Sequence, residues 1–226
     1  MRVVVVRHHE EDSAGFIGDA FAARGATLST VLYPKEGPLP DLGGLAHIVM
    51  LGSTSSVYDE GEARGWIGEE LAWLRRADAA GVPVLGICFG GQVLAAAFGG
   101  TVEHAGRQEI GWVTIDSADP RLIPPGPWLE FHHDRCLPPA EARVLARNDL
   151  GVQAFRLGRH LGVQFHPEVD GDQFRLWLDV GGRAEIEADG QDPDRMLAQT
   201  IAEEPEASAR AGRLVASALR IAAAGA

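Results

Sequence analysis

Cysteine is scarce in this chain, with only Cys88 and Cys136 in 226 residues. Two thiols cannot build a disulfide framework, so a reducing cytoplasm is the default expectation and each thiol has to be weighed as a nucleophile. Positive charge is also short, 20 Lys+Arg against 32 Asp+Glu, for a formal net charge of −12. A protein that binds nucleic acid by neutralising phosphates needs a clustered basic surface, and that class is set aside. No apolar run approaches the roughly 18–20 residues needed to cross a bilayer, which excludes a helical membrane span. The N-terminal stretch Met1-Arg2-Val3-Val4-Val5-Val6-Arg7 has charged ends and no small-residue cleavage site. It reads as a strand and not as a secretory signal. Internal repeats, a convincing linker and a P-loop are missing too, so neither a repeat array nor a phosphate-cradling synthetase unit is expected.

What remains is the composition of a soluble globular protein, 46% apolar and 23% charged, at a length suited to one α/β domain. Short β-branched runs alternate with helical patterns. Strands are predicted over residues 3–6, 27–32, 47–51 and 83–87, and helices over 14–23, 66–80 and 92–98. The all-apolar run at 3–6 is expected of a strand covered on both faces. Beyond Gly99-Gly100 short strands are predicted at 110–115, 128–132, 142–146, 152–155 and 160–165. They suggest an antiparallel section whose last strand returns to the main sheet. Toward the C-terminus the pattern predicts a helix over 174–178, an acidic loop over 181–190, a helix over 192–202 and a final helix over 206–224 begun by Pro205. Leu214, Val215, Leu219 and Ile221 would either pack back on the sheet or form a homodimer seam.

The most informative stretch is Gly86-Ile87-Cys88-Phe89-Gly90-Gly91-Gln92. A buried strand ends at a cysteine flanked by glycines, and a helix begins at once. This is the pattern of a nucleophile elbow, whose sharp turn lifts the reactive atom above the sheet. Glycines suit it because two backbones approach closely and the nucleophile's torsions are strained. The helix N-terminus behind Cys88 offers free N–H groups and partial positive charge, which lower a thiol pKa and can hold an oxyanion. A free cysteine is otherwise among the most buried residue types, and a packed, inert role is the competing reading.

A cysteine nucleophile needs a base, and the base needs an orienting group. Gln164-Phe165-His166-Pro167-Glu168 supplies both. Pro167 forces His166 into an extended conformation, in which residues i and i+2 face the same side, so Glu168 can reach the His166 ring. The two segments together resemble the class I glutamine amidotransferases, the Cys-His-Glu glutaminases. The likeness runs in order from about Val3 to Glu168, through Met50-Leu51-Gly52-Ser53-Thr54-Ser55-Ser56. In Glu109-Ile110-Gly111-Trp112 and Phe131-His132-His133-Asp134 it is similar to stand-alone members and to the amidotransferase portion of GMP synthase.

The resemblance implies a flavodoxin-like three-layer α/β sandwich. Its central sheet would be mostly parallel, with a small antiparallel section and a C-terminal helical appendage. Residues 1–170 would form the catalytic domain and 171–226 a helical extension packed on it. It implies hydrolysis of L-glutamine through a Cys88 thioester, with His166 as base and Glu168 as orienter. The ammonia would pass to a separate synthetase or acceptor enzyme. Phe89 and the Gly52-Ser53 turn would supply oxyanion donors, Gln92 would help hold the substrate, and the His132 backbone would lie beside it. No cofactor or metal is implied.

One departure stands out. The family usually has Gly-Gly-Pro where this chain has Gly52-Ser53-Thr54. Loss of the second glycine restricts a peptide flip, and loss of the proline loosens the turn. The expectation is a hole that is not preformed, weak glutaminase activity without a partner, and a gain from Ser53→Gly. The departure also keeps open a hydrolase of another amide or γ-glutamyl compound. A silent binding or regulatory protein is the third reading, although such a descendant would normally lose Cys88 or His166.

The remaining candidates read more plainly. His8-His9-Glu10 follows the first strand at the sheet edge where ligands bind, but no second ligand cluster accompanies it, so a loop is preferred to a metal site. His132-His133-Asp134 is read as a pocket wall. Cys136 lacks a glycine turn or helix start and is expected to be packed and inert. The acidic residues Glu203, Glu204 and Glu206 are read as a solvated helix boundary, and Trp73 and Trp177 as core.

Overall fold

The computed structural model describes residues 1–225; Ala226, the end of the expected extension, lies outside the described residues. The chain forms β1 (Arg2–Arg7), α1 (Gly15–Ala22), β2 (Thr27–Leu32), β3 (His47–Met50), α2 (Glu62–Ala79), β4 (Val84–Ile87) and α3 (Phe89–Ala97). After these come β5 (Thr101–Val113), β6 (Asp116–Ser117), β7 (Trp128–Leu137), β8 (Arg143–Arg147), β9 (Val152–Leu157) and β10 (His160–Val163). The C-terminal helices are α4 (Gly171–Trp177), α5 (Arg183–Ala188) and α6 (Pro193–Ala224).

Eight strands make one sheet in the order β2-β1-β3-β4-β10-β9-β8-β6. The first five run parallel and the last three are added antiparallel. The returning strand is β10, which pairs parallel with β4 and antiparallel with β9. β5 and β7 form a separate two-stranded antiparallel sheet. This is the mostly parallel α/β sandwich with a small antiparallel section that the sequence led us to expect.

The layers follow from side-chain alternation. Val3 and Val5 of β1 enter a core with Ile17 and Phe21 of α1 and Leu214 and Val215 of α6. Val4 and Val6 enter the opposite core with Trp73 and Leu74 of α2 and Val93 and Leu94 of α3. Period-2 alternation thus divides one apolar run between two helical layers. Of the two fates open to the α6 apolar positions, packing on the sheet is the one observed. Leu214, Val215 and Ile221 are buried in that core, and Leu219 packs against it.

Three local expectations are corrected. The helix after Cys88 starts at Phe89 and not at Gln92, because the glycines there are helical. The acidic loop contains α5, whose residue Ile186 is buried in a third cluster with Ile110, Leu129 and Phe174. One apolar anchor among good helix formers is sufficient once a partner surface exists. Pro205 lies inside the 32-residue α6, which Asp192 caps through bonds from Asp194 and Arg195 N–H. The carbonyl freed by the proline belongs to Ile201, which is exposed, so water can satisfy it.

The topology sets up the site. β1 lies between β2 and β3, so the chain reverses direction of progress across the sheet at the carboxyl ends of β1 and β3. Register pairs Val6 with Met50, Met50 with Gly86, and Ile87 with Val163. The residues just beyond these strand ends, His8, Gly52, Cys88 and Gln164, are therefore brought to one edge.

Candidate active site

Cys88 has φ +51° and ψ −113°, the only positive φ of a non-glycine among the described residues. Three backbone bonds hold this strained turn: Cys88 N–H to the Val163 carbonyl at 2.9 Å, Gly90 N–H to the Leu51 carbonyl at 3.2 Å, and Gln92 N–H to the Cys88 carbonyl at 3.0 Å. Glycine is required at position 90, where a Cβ would lie 2.2 Å from the Met50 carbonyl oxygen. The Phe89 N–H, in the first turn of α3, has no intrahelical acceptor.

His166 Nδ1 lies 2.7 Å from Glu168 Oε1, and both residues are buried. The segment is anchored by His166 N–H to the Leu129 carbonyl at 2.8 Å and by Phe16 N–H to the Glu168 carbonyl at 3.0 Å. Burial disfavours a charged ring, but the Glu168 carboxylate and the Cys88 sulfur outweigh it and raise the His166 pKa well above its ordinary value. Both neighbours thus favour the protonated ring over the neutral one. Gly52 adjoins both partners: a methyl group there would be 3.1 Å from His166 Cε1 and 3.9 Å from Cys88 Cβ.

Gln164 belongs to the histidine motif, and its sequence context alone assigns it no role. Its Nε2 points at Cys88 Sγ from 3.6 Å, and its Oε1 accepts from Gln92 Nε2 at 3.2 Å. The available signal was its place two residues before His166, on the same side of an extended segment. Gln92 is buried in this chain of amides, within 3.4 Å of the Asp134 carbonyl. Asp134 in turn accepts from the Ser56 and Tyr58 hydroxyls.

A cleft of about 330 Å³ opens above Cys88, walled by His166, Gly52, Ser53, Phe131 and Trp177. A smaller one of about 130 Å³ shares Cys88 and Ser53 and reaches Gln92, His132 and Asp134. Trp177 packs against the third apolar cluster, in keeping with a core reading, and also walls the cleft. It is half-buried, meets the His166 ring edge-on at 4.9 Å and donates to Asp12 Oδ1 at 3.1 Å. Trp73 is core, as read.

His132 lines the smaller cleft, while its side chain serves a separate cluster. Nδ1 donates to the Asp134 carbonyl at 2.8 Å, and Nε2 lies 3.0 Å from Glu109 Oε2 and 3.2 Å from Glu130 Oε2. Burial pushes Glu130 up to about 7. Burial opposes charge on His132, but Glu109 and Glu130 raise it to about 10. The ligand atoms of these three residues lie within 4.8 Å of one another, close enough to hold a cation, and the imidazolium already supplies one positive charge there. The three residues of His8-His9-Glu10 diverge to Glu70, Thr54 and Lys35. They do not converge on a common ligand. Cys136 is buried, and burial pushes its thiol up to about 12, as suits a packed residue.

This arrangement is found where a known family model fits. The model for glutamine amidotransferase class-I matches residues 16–176, which include Cys88, His166 and Glu168. The chain belongs to the class I glutamine amidotransferases.

Among curated relatives, this amidotransferase chain is 32% identical over 152 residues to GMP synthase [glutamine-hydrolyzing] of Thermus thermophilus, covering 62% of this chain and 28% of that protein. It is 39% identical over 136 residues to the Aeropyrum pernix GMP synthase, covering 51% of this chain and 26% of that one. The chain thus matches little more than a quarter of the length of these relatives. Among solved structures, a glutamine amidotransferase from Thermotoga maritima superposes with TM-score 0.87 at 26% identity, over 98% of this chain and 97% of that one. One from Methylobacillus flagellatus gives 0.86 at 25%, over 97% and 94%. The structural likeness takes in the C-terminal helices, which the family model largely leaves out. No helix among the described residues is long and apolar enough to cross a membrane.

Proposed function

We propose that this amidotransferase hydrolyses L-glutamine to glutamate and ammonia, with Cys88 as nucleophile, His166 as its acid–base partner and Glu168 as orienter. The ammonia would be used by a separate acceptor synthetase. The observation that carries the reading is the buried His166–Glu168 pair, 2.7 Å apart, facing a cysteine on a strained strand-to-helix turn.

The chemistry follows from those positions. The Cys88 thiolate attacks the carboxamide carbon of glutamine, and the carbonyl π electrons move onto oxygen. The Phe89 N–H and the Ser53 N–H are the donors available to that oxyanion; each such donor is worth roughly 3–4 kcal/mol of barrier. The C–N bond breaks as His166 gives its proton to the departing nitrogen, leaving ammonia and a thioester. Water then attacks the thioester, losing its proton to His166, and the C–S bond breaks to give glutamate and the free thiolate. Glu168 stabilises the imidazolium in both halves. Gln92, His132 and Asp134 line the smaller cleft beside Cys88, which would receive the amino-acid end of the substrate.

A partner reading is supported by the GMP synthase relatives, of which this chain matches only the smaller part. Ammonia is mostly protonated at neutral pH, so transfer between docked sites is favoured over release. The altered Gly52-Ser53-Thr54 loop is the one feature that favours a different amide substrate. The test is labelling of Cys88 by a diazo-ketone glutamine analogue together with a glutaminase assay. Protection of Cys88 by glutamine, and ammonia release lost in Cys88→Ala, are expected. Protection by another amide alone would support the second substrate class, and no protection by any amide would remove the enzymatic reading.

A further inference from the structure

The loop that lacks the glycine and proline of its family is gripped by two histidines from the end of β1. His8 Nδ1 lies 2.7 Å from the Gly52 carbonyl oxygen and its Nε2 lies 2.9 Å from Glu70 Oε1. A carbonyl and a carboxylate can only accept, so both ring nitrogens carry protons. The His8 and Glu70 side chains are 2% and 0% exposed. The ring is wedged between Phe89, edge-on at 5.0 Å, and Trp66 at 5.5 Å, which leaves it no room to swing. On the other side of Ser53, His9 Nε2 accepts the Thr54 N–H at 3.1 Å. A proline at position 54 would have no N–H to give.

Peptide geometry then fixes the direction of the Ser53 N–H. In a trans peptide the carbonyl and the following N–H point opposite ways. With the Gly52 carbonyl turned to buried His8, the Ser53 N–H is turned away from it, on the side where Gly52, Ser53 and Cys88 wall the cleft. A flipped peptide would set the Ser53 N–H against a His8 N–H and place a carbonyl oxygen where an oxyanion must sit.

We propose that His8, backed by Glu70, is a positioning residue that holds the Gly52-Ser53 peptide with its N–H presented to the oxyanion, and that His9 fixes the far side of the same turn. Side chains thus order a turn that reads Gly52-Ser53-Thr54. The inference rests on the glutaminase reading above and replaces the expectation of a hole that is not preformed.

The experiment measures kcat and KM for glutamine hydrolysis in the wild type, His8→Ala and His8→Asn, with thermal unfolding and Cys88 labelling on each. Removing an oxyanion donor outright costs about 100–1000-fold in kcat. Freeing the peptide to sample both orientations costs less, and a 10–100-fold loss of kcat with KM within about threefold is expected for His8→Ala. The Asn amide places a donor near the Nδ1 position, so His8→Asn is expected to recover most of the rate. Because His8→Ala leaves Glu70 buried without a partner, it could fail to fold. The double variant His8→Phe/Glu70→Leu replaces both partners by apolar groups of similar bulk, which is often neutral for stability, and should show the same kcat loss. Unchanged kcat in the folded apolar variant, a loss confined to KM, or no recovery in His8→Asn would overturn the proposal. A wild type that neither hydrolyses glutamine nor is protected by it overturns the glutaminase reading instead.

Discussion

Gly90→Ala separates positioning from packing at this site. The added Cβ would stand 2.2 Å from the Met50 carbonyl oxygen, about 1.2 Å short of the 3.4 Å at which ordinary contact begins, and 2.7 Å from the Met50 carbonyl carbon and Cβ. The nearest of these atoms are backbone on a central strand, so the helix must move and not the neighbour. The first turn of α3 would withdraw from β3 by about an ångström, breaking the Gly90 N–H bond to the Leu51 carbonyl and parting Phe89 from the Gly52-Ser53 turn. Overpacking of this kind costs roughly 1–3 kcal/mol, or about 2–12 °C in Tm for a chain of this size. A misplacement of about 1 Å costs on the order of 100-fold in rate. The expected result is a folded protein, melting somewhat lower, whose glutamine hydrolysis and Cys88 labelling fall about 100-fold. Gly68→Ala is the control, since a Cβ there meets nothing within 4 Å and the position is an exposed one in α2. It should gain up to about 1 kcal/mol with unchanged rate. Turnover of Gly90→Ala within threefold of wild type would refute the claim that this contact sets the geometry.

Cys88→Ala should abolish ammonia release with little change in Tm, and His166→Ala should be nearly as severe; Glu168→Gln, which keeps an acceptor but loses the charge, should be milder by comparison of kcat. Ser53→Gly should not raise turnover, because Ser53 does not occupy the positive-φ region that only glycine favours, and steady-state kinetics within about threefold of wild type are expected. The His132 pKa is raised from 6.5 to about 10, so its contribution to stability is complete below pH 6.5 and is lost as pH rises through 10. Melting temperature should therefore fall between pH 7 and 10, and Glu109→Gln should flatten that slope by removing one of the carboxylates that hold the charge. Trp177→Ala should slow turnover, since the ring meets His166, and should also lower the melting temperature, since the ring packs on the third apolar cluster and donates to Asp12.

Local sequence determined the parts whose physics is local. The run Val3-Val4-Val5-Val6 had to be a covered strand, because no surface strand carries apolar residues on both faces. Glycines around Cys88 announced a close backbone approach, and Pro167 aligned His166 with Glu168 two residues on. Each of these signals spans only a few residues, and together they point to the nucleophile and base proposed above. Pro205 misled for the same reason: its local meaning is a helix start, whereas an exposed position on a helix pinned to the sheet tolerates the missing bond. Trp177 was legible in part, because helical spacing says that a face is covered without saying by what; the ring packs on the third apolar cluster and also meets His166 at the cleft. What only the tertiary structure decided are contacts between segments far apart in the chain. His8 reads as a loop residue, and it is the parallel pairing of β1 with β3 that sets it beside Gly52, while α2 brings Glu70 to its other nitrogen. Glu109 met His132 because β5 pairs with β7 in a register that sets the two residues opposite each other, whereas Glu130 lies two residues before His132 on the same strand. Tertiary packing, and not near neighbours in sequence, placed Gly52, Glu70 and Glu109 beside their histidines, since a side chain's proton is held by whatever the fold carries to it.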